Sequence, residues 1–187
     1  MTSQPYLLRS ARALCAALML LFACAAPAWA ASAREIDIRV DAALDRFKKE
    51  VSGGDRFLQN ARGVLVFPRV IKAGIGIGGE YGEGALRIHG KTVNYYSTAA
   101  ASIGFQLGAQ SKTIILVFLD DKVLARFRNS SGWKAGVDGS IAFIKWGAGE
   151  DINNIDIKDS IVGFMFNNKG LMYNLTLEGA KFTKIVR

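Results

Sequence analysis

The chain has 187 residues, half of them hydrophobic, and carries 24 Lys and Arg against 16 Asp and Glu for a formal net charge of +8. Its only cysteines, Cys15 and Cys24, fall in the first 30 residues, and His89 is its single histidine. Once that leader is removed, disulfides, a cysteine nucleophile and a cysteine-ligated zinc are excluded, and the basic balance points to anionic partners.

In the leader, Arg9 and Arg12 precede an apolar stretch from Ala13 to Ala26, followed by Pro27-Ala28-Trp29-Ala30. This is the layout of a secretory signal peptide, and the stretch is shorter than the roughly 18 to 20 residues that cross a bilayer as a helix. Cleavage after Ala30 or after Ala33 satisfies the small-x-small rule. Residues 1–30 are assigned to the signal peptide and 31–187 to one domain. Leu21-Phe22-Ala23-Cys24 also resembles a lipobox, and on that route processing ends before Cys24, which becomes a lipid anchor. Either route makes the protein exported, in the periplasm or associated with the outer membrane. Loss of Arg9 and Arg12 lowers the formal charge from +8 to +6. About 155 residues remain, enough for a domain that buries roughly 68 to 70% of its unfolded surface.

From Arg34 the apolar residues Ile36, Val40, Leu44, Phe47 and Val51 recur at steps of three and four, which predicts an amphipathic helix ended by Ser52-Gly53-Gly54. A shorter helix is expected at Asp55 to Asn60. Beyond Arg62 the pattern becomes that of strands at 64–67, 75–81, 85–88, 92–97, 102–109, 113–119, 133–143, 161–166 and 171–177. Turn chemistry stands between several of them, at Gly90-Lys91, Asn129 to Gly132 and Asn167 to Gly170. Ile114 to Leu119 shows no alternation and is expected to be buried on both faces. Asp120-Asp121 caps a helical turn or two at Lys122 to Phe127. Glycines inside strands favour bends and close approach. The fold expected is α+β: an N-terminal amphipathic helix packed on a strongly curved, mainly antiparallel, glycine-rich sheet or partly closed β-barrel.

Gly74-Ile75-Gly76-Ile77-Gly78-Gly79 matches the dinucleotide pattern GxGxxG, but that motif must open a helix, and the glycines at 78, 79, 82 and 84 argue against one. His89, beside Gly90, is expected at a surface or edge. No GxSxG nucleophile elbow occurs. Glu80, Glu83, Asp138, Glu150 and Asp151 form an acid/base pair only if the fold brings them together. Residues 147–159 carry oxygen ligands without the spacing of a calcium loop. No catalytic residue, metal or cofactor is assigned.

The segment Gly63 to Gly74, with Gly76, Gly78-Gly79-Glu80-Tyr81-Gly82 and Glu83-Gly84, resembles the opening of the SYLF family of lipid-binding domains. The likeness continues through Tyr95-Tyr96-Ser97, Ala101 to Gln110, Gly132-Trp133, Gly136-Val137-Asp138, Lys169-Gly170-Leu171 and Leu177-Glu178-Gly179. The resemblance implies a domain that binds membrane lipid and does not imply catalysis. In eukaryotic members the ligands are phosphoinositides, and in some fungal ones actin is a further partner. Lipid contact there is attributed to an N-terminal amphipathic helix with basic residues, which maps here to Arg34 to Val51 and to Arg69 and Lys72. The expected contact residues are Arg39, Arg46, Phe47, Lys48, Lys49, Arg69 and Lys72, docking on anionic phospholipid such as phosphatidylglycerol or cardiolipin. A protein-protein or structural role in the envelope is the alternative. Neither nucleic acid nor a small-molecule substrate is expected as a partner.

Overall fold

The computed structural model describes residues 31–51, 53–143, 159–166, 177 and 179–187, with the backbone alone for 74–77 and 102–109. Cys24 and the Ala30 cleavage site lie outside these residues. So do most of the 147–159 loop and all of the expected 171–177 strand except Leu177. Ser32–Arg187 packs as one compact unit.

Helix α1, Ala33–Glu50, begins at an N-cap that the sequence writes out: the Ser32 hydroxyl accepts from the Glu35 amide at 3.2 Å. Glu35 in the first turn and Lys48 and Lys49 in the last complement the helix dipole. The chain then turns at Gly53, whose φ of 82° suits glycine, into α2, Gly54–Asn60.

Six strands of the sequence reading are in fact two. Strand β1 runs from Gly63 to Ile88 and β2 from Lys91 to Phe118, paired antiparallel through a tight turn at His89 and Gly90, with φ of 48° and 77°. Positive φ at both positions matches the right-handed twist of a hairpin. The shifts at Phe67/Val70 and Gly74/Gly76 fall at the expected break between 67 and 75, the shift at Leu86/Arg87 falls inside an expected strand, and the expected breaks at 82–84, 98–101 and 110–112 are continuous strand. Pro68 occupies the first shift, where no ladder amide is required, and its carbonyl accepts from Thr113 Oγ1 at 2.9 Å. The GxGxxG segment is strand, not the start of a helix.

One edge of β2 carries β1. Along the other lie β6, Lys181–Ile185, on its N-terminal half, and β5, Ile161–Phe166, on its C-terminal half. Helix α3, Asp121–Asn129, is capped by Asp120, whose Oδ1 accepts from the Val123 amide at 2.9 Å. The expected strand at 133–143 is corrected to two short strands, β3 at Trp133–Lys134 and β4 at Ala142–Phe143. Between them Gly136 adopts a φ of 82° and Asp138 Oδ2 accepts from the Lys134 amide, so the chain turns instead of continuing. The strand β6 was not among the expected elements.

The long hairpin is bent back on itself. Phe127 of α3 lies 5.0 Å, ring centre to ring centre, from both Tyr96 and Phe118, which stand 22 residues apart on one strand. Fully extended, that stretch would span roughly 70 Å. The bend brings Gly82 and Gly84 of β1 onto the root of the same strand. A Cβ at Gly84 would overlap the Val66 carbonyl oxygen, and one at Gly82 would lie 2.8 Å from the Arg69 carbonyl oxygen. Inside the bend Leu65, Phe67, Leu86, Tyr96, Leu116, Phe127, Trp133 and Phe182 share one core. Val66, Ile115 and Phe164 are cross-strand neighbours on the opposite face, where Phe164 meets Phe47 of α1 at 4.7 Å and Phe57 of α2 at 5.3 Å. Both faces of the 114–118 run are therefore covered, which explains its continuous hydrophobicity.

Tyr96 is 1% exposed and its hydroxyl has no hydrogen-bond partner among the described residues. Burial pushes its phenol from 10.0 up to about 12, against a small lowering by Arg128. The folded state thus holds this proton where the unfolded chain releases it, so the stabilisation is complete below pH 10 and is lost as pH rises towards 12. Burial also raises Tyr81 and Tyr95, each further raised by a carboxylate neighbour, and adds to the same alkaline loss.

Two outcomes are expected in chemical denaturation. Gly84→Ala should cost more than about 3 kcal/mol, because backbone has to move, whereas Gly90→Ala, with φ of 77° and open space around it, should cost only about 1 to 2. Tyr96→Phe should be neutral or stabilising by about 1 kcal/mol at pH 7, since it removes an unpaired buried hydroxyl, and should flatten the loss of stability between pH 10 and 12.

Candidate functional site

Helix α1 is fixed on the sheet by polar contacts as well as apolar ones. Its buried stripe is Ile36, Val40, Ala43 and Phe47. Beside the stripe, Asp37 accepts from Thr92 Oγ1 at 2.7 Å and from Tyr95 Oη at 2.9 Å. Arg87, at the end of β1, reaches Asp41 Oδ1 at 2.7 Å and Asp37 Oδ1 at 3.5 Å. These groups come from the tip of the hairpin, so the helix and the tip hold each other.

Further along α1 an open cleft of about 470 Å³ separates the helix from the bulged root of the hairpin. Arg39 and Arg46 stand on its helix wall, Arg69 beside Pro68 on the β1 wall, and Lys112 beside Thr113 on the β2 wall. Among the described residues three accessible arginines and no acid line this cleft, while the ammonium of Lys112 turns to the other face of the sheet, where it meets Glu80. Arg39 and Arg46 pair along the helix with Glu35 and Glu50 at 2.5 and 2.7 Å, exposed i,i+4 pairs of the kind worth about 0.3 to 0.5 kcal/mol and easily shared with another anion. Arg46 also lies over the Phe166 ring, 5.0 Å from its centre. Arg69 is exposed and makes no ion pair among the described residues.

Lys112 differs from the other three in being 3% exposed. Its Nζ is 2.5 Å from Glu80 Oε2, a buried ion pair inside the bend of the hairpin. Glu80 Oε1 lies 3.7 Å from Lys72 Nζ. The bend of the hairpin creates both contacts by bringing residues 80–84 over 66–70 and the neighbouring part of β2.

The structure thus gathers Arg39, Arg46 and Arg69 in one place and leaves the other expected contact residues elsewhere. Lys48 and Lys49 are exposed on α1 but do not line the cleft, and Lys72 is engaged with Glu80. Phe47 is corrected: at 0% exposure it is core, stacked edge-on against Phe164, and offers nothing to a bilayer in this conformation. Lys112 was missed because its sequence neighbours, Ser111 and Thr113, suggest an ordinary strand-end lysine. Only the fold reveals its burial. Of the carboxylates considered for acid/base work, Glu80 is ion-paired with lysines and Glu83 with Arg187, so neither faces the other as a catalytic pair. Among the described residues no group of three or more His, Cys, Asp or Glu is placed to hold a metal, and no helix is long and apolar enough to cross a membrane.

A curved hairpin with a helix docked on it and a cation-lined cleft between them defines a binding domain. Residues 99–185 match the model of the Ysc84 family, the Las17-binding protein actin regulators. The match is consistent with the SYLF family that the sequence resembles, a family of binding domains. The match begins inside β2 and includes Lys112, whereas Arg39, Arg46 and Arg69 precede it. No curated protein matches the chain.

The Lys112–Glu80 pair gives a direct test of the cleft wall. Lys112→Met should destabilise the protein by about 1 to 3 kcal/mol, because Glu80 keeps only its longer contact to Lys72, and Lys112→Met combined with Glu80→Gln should recover much of that loss. Urea denaturation of the single and double variants measures both.

Proposed function

We propose that this protein is an exported lipid-binding module of the bacterial cell envelope that docks on anionic phospholipid through the basic cleft and the exposed cations of α1. The observation that carries this reading is the convergence of Arg39 and Arg46 from α1 and Arg69 from β1 on one open cleft that no acid lines among the described residues. Each Lys or Arg near an anionic surface contributes about 1 kcal/mol, so the three arginines together with Lys48 and Lys49 suffice for reversible docking. The apolar stripe of α1 is occupied by the core, so headgroup electrostatics carries the contact and the helix stays docked. Removal of the leader as a signal peptide, or acylation at Cys24, would place the domain beside such a surface.

A protein partner is the second reading. The matching family is described by its binding of another protein, and Ile38, Tyr81 and Val137 are exposed apolar side chains here.

Co-sedimentation with vesicles separates the two. The purified protein should pellet with phosphatidylglycerol vesicles at low salt, remain in solution with phosphatidylcholine vesicles, and be released at about 0.5 M salt, where charges are screened within a few ångströms. Arg39→Glu with Arg69→Glu should abolish pelleting, and Lys91→Glu, outside the cleft, should leave it nearly unchanged. Salt-independent pelleting would refute electrostatic docking, and no pelleting with any vesicle would favour the protein partner.

A further inference from the structure

A second cavity lies apart from α1, where α3, the turn after β3 and the entry to β5 meet. At about 240 Å³ it falls below the roughly 300 to 1,000 Å³ of pockets for drug-sized ligands, and it shares no lining residue with the arginine cleft. Trp133, only 4% exposed, lines it together with the apolar side chains of Val123 and Ile161. Three charges from three parts of the chain join them: Arg126 on α3, Asp138 in the turn and Asp159 before β5.

Charges of both signs line one small cavity here, yet none of them is neutralised by another. Among the described residues the side chains of Arg126 and Asp159 make no ion pair or hydrogen bond. Asp138 spends one oxygen, Oδ2, on the Lys134 amide at 2.6 Å, which fixes the carboxylate and leaves Oδ1 for a ligand. That mixture of signs selects the ligand. A simple cation meets Arg126 and a simple anion meets two carboxylates, so each is repelled by part of the lining. A zwitterion uses all of it, its carboxylate accepting from the planar guanidinium fork and its ammonium donating to the aspartates. The indole of Trp133 with Val123 and Ile161 gives an apolar side chain a surface to bury against.

We propose that this cavity binds a free α-amino acid with an apolar side chain, Arg126 holding its carboxylate and Asp138 and Asp159 its ammonium. The site is independent of the docking proposed for α1, since none of its residues belongs to the arginine cleft.

Calorimetric titration of the purified protein tests this with soluble probes. L-leucine and L-phenylalanine carry both charges, leucinamide has lost the negative one, and 4-methylpentanoate has lost the positive one. At least one of the two amino acids should saturate a single site, and the singly charged probes should bind about tenfold more weakly or worse, the scale of losing one hydrogen bond to a charged group. Arg126→Gln and Asp159→Asn, both at exposed positions, should each weaken the amino acid by about the same factor while leaving the urea midpoint in place. Lys91→Glu, at the hairpin tip, should leave the affinity unchanged. Leucinamide bound as tightly as leucine would make the site a cation pocket, 4-methylpentanoate bound as tightly would make it an anion pocket, and either result overturns the proposal. Failure of both amino acids to bind overturns it too, as does binding that is indifferent to Arg126→Gln.

Discussion

The close crossing of strand β1 over its own root is the constraint on which the rest of this structure depends. At Gly84 and Gly82 the strand lies backbone to backbone on Val66 and Arg69, an approach that any side chain would block. A 26-residue strand without that crossing would have two open faces and no enclosed core. With it, Leu65 and Phe67 at the root face Leu86 and Tyr96 from the far end, and Phe182 of β6 closes the stack on Phe67 at 5.5 Å. The same crossing carries Glu80 to Lys112 and Lys72, so the bend is held by charge as well as by packing.

The cleft follows from that geometry and from the bulge at Pro68. The register shift between Phe67 and Val70 leaves Arg69 outside the ladder and exposed, while Val70 and its cross-strand partner Lys112 are buried. Helix α1 forms the opposite wall because Asp37 and Arg87 fix its first half to the hairpin tip and Phe47 fixes its second half to Phe164. A helix held at both ends by different chemistry is not free to roll its stripe towards a membrane. Its polar side is what remains accessible, and Arg39 and Arg46 on that side are what the cleft uses.

Much of this was legible in the chain. The period of three and four from Ile36 to Phe47 gave α1, and the unbroken run at 114–118 announced a strand covered on both faces. Pro68 and the internal glycines were misread as loop breaks because a bulge and a turn share the same residues. What separates them is whether the partner strand continues opposite, and a single strand's sequence does not state that. Trp133 to Phe143 has strand-forming residues throughout, but the positive φ of Gly136 is a tertiary choice, supported by the Asp138 side chain. Arg39, Arg46 and Arg69 could be named because exposed cations on a helix face and beside a proline are local features. Lys112 could not, since its role is set by Glu80, 32 residues away along a bent hairpin.

The stability of this domain and the anion affinity proposed for it are coupled through the same stretch of backbone. Like charges held on one small cleft repel each other, and a buried ion pair carries a desolvation cost, so replacing such groups by apolar ones is often neutral or better for folding alone. An anion that binds only the folded cleft reverses that balance by mass action, adding about 2.7 kcal/mol of stability at a concentration one hundred times its dissociation constant. The bend makes this coupling specific. Gly84 and Gly82 position Glu80, Glu80 positions Lys112, and Lys112 and Arg69 stand on adjoining strands at the bulge. A change at the crossing should therefore alter anion affinity even though no glycine touches the ligand, because the wall of the cleft and the closure of the core are the same piece of backbone.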